Sequence, residues 1–121
     1  MELYRPVTNQ EYDAIAAKGF AGFPTQSDKP LLALLLSYEG AKQIARHLHM
    51  PDGDRDVYVL SCIVDDAYIR QFPVQNADNI NRRALWLSTD ETDILNQHLI
   101  GKIRVVEHFQ PAPEERDTFF V

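Results

Sequence analysis

The sequence predicts an α+β fold: one small domain over residues 1–110, with mixed or antiparallel sheets and flanking helices, then a C-terminal tail over 111–121. Three observations lead there. Short apolar or β-branched runs alternate with stretches that carry helix-capping signals, so strands and helices are interspersed. The stretch from Val57 to Leu87 is too irregular to be a succession of parallel crossover units. At 121 residues the chain is about the size of one domain and can bury a core without a metal or disulfide staple.

The elements follow in order. Glu2 to Val7 is a short extended run, with Pro6 tolerable near a strand end or on an edge. Thr8-Asn9-Gln10-Glu11 fits a capping box, in which the Thr hydroxyl and Glu carboxylate satisfy free backbone donors. Tyr12, Ile15 and Ala16 share one face of the helix that follows, and Gly19 ends it in a left-handed conformation. Phe20 to Pro30 is a loop, pinned by Phe20 and Phe23.

Leu31 to Leu36 is short and follows a proline, which favours a buried strand over a helix. Ser37 caps a helix from Tyr38 to His49, where Ala41, Ile44, Ala45 and Leu48 form an apolar stripe. Gly40 weakens its first turn, as the close approach of a ligand or another backbone requires. Met50 to Asp56 is a turn, and Val57 to Val64 is the clearest strand. A short helix runs from Asp65-Asp66 to Phe72, and Pro73 to Asn81 is irregular. Arg83 to Leu87 is a strand, and Ser88-Thr89-Asp90-Glu91 is a second capping box before a helix over Thr92 to Leu99. Gly101 stops that helix, and Lys102 to Phe109 supplies a late strand.

Composition excludes several classes. A net charge of −6, with no cluster of Lys and Arg, argues against a nucleic-acid partner. Cys62 is the only cysteine, so neither an intramolecular disulfide nor a thiolate metal cluster is available, and its setting reads as a buried inert thiol. His47 and His49, two apart on a helix, point in different directions and make no metal pair. Asp52-Gly53-Asp54-Arg55-Asp56 has its glycine in the wrong place for a calcium loop and reads as a solvated turn. The start of the chain has no basic region followed by an apolar stretch, and Leu31 to Leu36 is too short to cross a bilayer, so a cytoplasmic protein is expected.

Leu3-Tyr4-Arg5-Pro6-Val7, Gly19-Phe20, Phe23-Pro24, Tyr38 with Ala41 and Ile44-Ala45, Leu85-Trp86, Asn96 and Gly101-Lys102-Ile103 follow one another in an order that carries a resemblance. From Leu3 to about His108 the chain resembles small bacterial ADP-ribosyltransferase-like proteins grouped under the label "ADP-ribosylation/crystallin J1". The resemblance implies a split pair of β-sheets around a cleft for NAD or ADP-ribose. It implies that Arg5, with Tyr4 beside it, contacts the dinucleotide, its planar fork being suited to a phosphate. Tyr38 matches a nicotinamide-stacking position, with Ser37 as cap and hydroxyl contributor and Trp86 at the pocket's border. Arg5 and Tyr38 are then expected on one concave surface, with Arg5 serving the ligand more than the fold.

Transferases of this type need a late-strand glutamate, and Ala84 stands where that acid is expected. Asp90, Glu91 and Glu107 are the substitutes, the first two also explained as acids at a helix start. Catalysis, as transferase or NAD glycohydrolase, is therefore expected to be weak or absent. The alternative from a different class is a small acidic, non-enzymatic binding or immunity-type protein that neutralises a basic partner through its surface.

Overall fold

The structure, a computed structural model, describes residues 1–25, 31–49, 56–76, 79 and 81–110. Of the turn expected from Met50 to Asp56, residues 50–55 lie outside the described residues, as does the tail 111–121. Among the described residues six strands form one open antiparallel sheet: β1 (Glu2–Thr8), β2 (Leu31–Leu35), β3 (Val57–Ile63), β4 (Val74–Gln75), β5 (Ala84–Ser88) and β6 (Arg104–Phe109). Their order across the sheet is β4-β5-β2-β1-β3-β6. Four helices accompany them: α1 (Asn9–Ala17), α2 (Tyr38–His49), α3 (Asp66–Ile69) and α4 (Thr92–Gln97), the last entered through a 3-10 turn at Thr89–Glu91. No helix among them is long and apolar enough to cross a membrane.

Strand alternation divides the core in two. Leu3, Val7, Leu32, Leu34, Leu60, Cys62, Leu85 and Leu87 face one side, where they meet Ile15, Phe23, Ile69 and Leu95. Leu35, Val57, Val59 and Ala84 face the other, where Ala41 and Ala45 of α2 cover them. Of the apolar stripe expected on α2, Ala41, Ala45 and the partly buried Ile44 make this contact, whereas Leu48 is exposed. Cys62 is buried in the first cluster, and burial pushes its thiol up to about 12, so it stays protonated and unreactive at neutral pH.

The seam between β1 and β2 is the weak line of the sheet. These strands share one residue pair, Tyr4 with Leu35, whereas β1 and β3 pair from Glu2–Ile63 to Thr8–Val57. Continuing the register would set Pro6 opposite Ala33, and proline has no N–H to donate. Arg5 replaces the missing donor: its Nη1 donates to the Ala33 carbonyl at 3.0 Å. Its Nε and Nη2 donate to the two carboxylate oxygens of Glu11 on α1, at 2.6 and 2.9 Å. Only 11% and 9% of these side chains remain exposed, so the pair belongs to the interior.

That use of Glu11 corrects the first capping box. Thr8 occupies the N-cap, but its side chain makes no capping bond, and the Glu11 carboxylate accepts from Arg5. In the second box Ser88 does accept from the Asp90 N–H, while Glu91 accepts from the Tyr68 hydroxyl at 2.7 Å. Ser37 caps α2 as expected, accepting from the Gly40 N–H at 3.0 Å. Gly40 is also explained: a Cβ there would stand 2.0 Å from the Asn81 carbonyl oxygen, so the close neighbour is backbone.

Gly19 takes φ of +66° as its stop position requires, and Phe20 follows at +61°. The loop that begins there is held by Asn96, whose side chain accepts from the Phe23 N–H at 2.8 Å and donates to the Phe23 carbonyl at 2.9 Å.

This clamp gives Arg5 a structural role beyond the one expected of it, since removing either member takes the two-pronged partner from a largely buried charge. Arg5→Ala and Glu11→Ala should each lower stability in urea denaturation by about 3–5 kcal/mol, and the double change to Met and Leu by much less. A loss under about 1 kcal/mol in both single variants, the size expected of an exposed pair, would contradict the assignment.

Candidate functional site

The residues singled out in the sequence separate into groups. Arg5 pairs across the sheet with Leu60 and lies on the side covered by α1. Tyr4 points to the α2 side, where its ring meets that of Tyr38 edge to face, with centroids 6.0 Å apart. Arg5 and Tyr38 therefore do not share a surface. Adjacent residues of a strand project to opposite faces, so Tyr4 and Arg5 could not both join Tyr38.

A third sequence candidate does join Tyr4 and Tyr38. Tyr38 donates from its hydroxyl to Glu107 Oε2 at 3.0 Å, although the two residues lie 69 positions apart in the sequence. A bulge in β6 makes this possible. Val59 pairs with Glu107, but Leu60 pairs with Val105, leaving Val106 as an extra residue. Val106 and Glu107 consequently both serve the α2 face, Val106 packing into its core and Glu107 reaching Tyr38.

Lys42, one turn after Tyr38 on α2, completes this side of the corner. Its Nζ lies 3.4 Å from Glu107 Oε2 and 5.6 Å from the centre of the Tyr38 ring. On the other side Glu2 accepts from the buried Ser61 hydroxyl and from Arg104 Nη2 at 3.3 Å. The corner thus holds two phenols, two carboxylates and two cations, with Tyr4 and Tyr38 at its centre.

Their ionisation follows from these contacts. The hydrogen bond to Glu107 is the main reason the Tyr38 phenol is held above its ordinary value, with burial and the Glu107 charge adding to it. Burial, then the charge of Glu2, raises Tyr4 in the same direction. Glu2 is held below the usual carboxylate range, chiefly by the Ser61 hydroxyl. At neutral pH the phenols are donors and Glu2 is an acceptor.

The remaining candidates lie elsewhere. Ala84 is on the α2 face, in a row that runs Ala84, Leu35, Tyr4, Ser61, Arg104 across the strands. It is buried and two strand spacings, roughly 10 Å, from Tyr4. Glu91 is engaged by Tyr68, and Asp90 lies exposed in the 3-10 turn. Trp86 pairs with Ala33 and alternates with the buried Leu85 and Leu87, which puts it on the α2 face; 45% of it is exposed. Leu31, two residues along β2 on the same face, is 48% exposed. Among the described residues no three His, Cys, Asp or Glu side chains converge as metal ligands.

Sequence reading missed Glu2, Ser61, Lys42 and Arg104. Lys42 had a signal, its i+4 spacing from Tyr38, but Glu2, Ser61 and Arg104 meet only through strand pairing. Comparison with protein-family models, with curated proteins and with solved structures finds no match for this chain.

Replacing the charged acceptor beneath Tyr38 tests the corner directly. In Glu107→Gln the Tyr38 phenol should ionise at lower pH, back toward the ordinary tyrosine value, as followed by NMR of its ring carbon through an alkaline titration. An unmoved Tyr38 titration would mean that Glu107 does not face it in solution.

Proposed function

We propose that the protein is an ADP-ribosyltransferase-like nucleotide-binding domain of little or no catalytic power, which holds NAD or ADP-ribose at the Tyr4–Tyr38 corner. The observation that carries this reading is the β6 bulge that brings Glu107 to Tyr38. The corner it creates has the chemistry of a nucleotide complement. Aromatic rings offer faces and edges to a base or nicotinamide, Glu107 and Glu2 accept from ribose hydroxyls, and Lys42 and Arg104 are cations for phosphates. The single-pair seam between β1 and β2 divides the sheet into three-stranded halves, in keeping with a split architecture. Arg5 is left to the fold.

Weak catalysis follows from the acids. Ala84 supplies no carboxylate, and Glu107 is already neutralised by Lys42 and hydrogen-bonded by Tyr38. Electrostatic stabilisation of the reacting centre is commonly the largest rate term, and the corner's described carboxylates, Glu107 and Glu2, are assigned here to ribose hydroxyls, with none at Ala84 to face the reacting carbon. Calorimetric titration should show binding of NAD and ADP-ribose, weakened about tenfold by Tyr38→Ala through loss of the aromatic contact. Nicotinamide release should stay near background. Affinity untouched by Tyr38→Ala would sink the site, and robust turnover abolished by Glu107→Ala would sink the non-catalytic reading.

A second reading, the acidic protein-binding module, is favoured by the exposed Trp86 and Leu31 on the uncovered half of the α2 face. Trp86 is the sole tryptophan, so its fluorescence reports that face alone. A basic protein partner seated there should shift its emission to shorter wavelength, and Trp86→Ala should remove binding with little change in stability. A partner that binds with Trp86 emission unchanged excludes this surface.

A further inference from the structure

Lys42 and Glu107 neutralise each other across the Tyr38 ring, and neither is locked there. The lysine side chain keeps 24% of its surface exposed and that of Glu107 31%, and an ammonium on a four-carbon stem changes partners readily. A ligand offering only hydroxyls must compete with Lys42 for Glu107. One offering only an anion must compete with Glu107 for Lys42. A ligand that carries both a hydroxylated ring and a phosphate replaces each half of the pair at once, and no charge is left uncompensated.

We propose that Lys42 is the specificity-determining residue of the corner: it leaves Glu107 for a ligand phosphate, freeing Glu107 to accept from the ribose, so that the site takes phosphorylated nucleotides in preference to nucleosides. This inference rests on the Tyr4–Tyr38 corner being the nucleotide site. The overall charge of −6 adds to it, because an anionic ligand is repelled by the protein at large and needs a local cation to enter. Arg104 is the poorer candidate: its side chain is 63% exposed and pairs with Glu2, whereas Lys42 contacts Glu107 and lies over the Tyr38 ring.

The experiment titrates ADP-ribose and adenosine, each by calorimetry at low and high salt, into the wild type, Lys42→Gln and Lys42→Arg. The wild type should prefer ADP-ribose, and that preference should shrink with salt. Lys42→Gln should weaken ADP-ribose about tenfold while leaving adenosine within about twofold, and Lys42→Arg should retain most of the preference. Equal losses for both ligands in Lys42→Gln, with an unchanged melting temperature, would make Lys42 a support of the corner and overturn the inference. So would unchanged affinity for both. Wild-type protein that binds neither ligand overturns the nucleotide reading itself, an outcome distinct from the other two.

Discussion

The arrangement of this domain depends on what happens at Pro6. A strand in the middle of a sheet must donate to both neighbours, and β1 meets β2 with a residue that has no donor to give. Arg5 answers this by reaching past its own backbone to the Ala33 carbonyl, and Glu11 fixes the guanidinium in that pose. One side chain therefore carries the closure of the seam and the docking of α1. Because the arginine is satisfied by carboxylate and carbonyl together, its burial leaves no polar group without a partner.

The consequences reach the opposite face. With Arg5 committed to the α1 side, Tyr4 is turned to the α2 side, where it meets Tyr38, and the acceptor for the Tyr38 hydroxyl has to come from another strand. The β6 bulge supplies it by directing Glu107 inward beside Val106. Gly40 lets the first turn of α2 lie against the Asn81 backbone, so Tyr38 and Lys42 are presented from a helix whose position is fixed. Several residues behind the family resemblance prove to be parts of this framework: Asn96 and Phe23 tie the first loop to α4, and the Phe20 carbonyl accepts from the Ile103 N–H at 2.9 Å.

The sequence by itself determined most of the elements and their order. Val57 to Ile63 could be read as a strand from its β-branched content, α2 from the spacing of Ala41 and Ala45, and the helix stop at Gly19 from the need for positive φ. These are local properties, fixed by backbone sterics and side-chain period. The two-residue strand β4 was not legible, because Val74-Gln75 becomes a strand only through its partner β5. Tyr4, Tyr38 and Glu107 could be named as candidates, yet their meeting could not be derived. Only the tertiary structure decided which face each residue occupies, through strand register, a one-residue bulge and a proline without a donor. A shift of one residue along a strand exchanges its faces, and nothing in local composition records which way that choice falls.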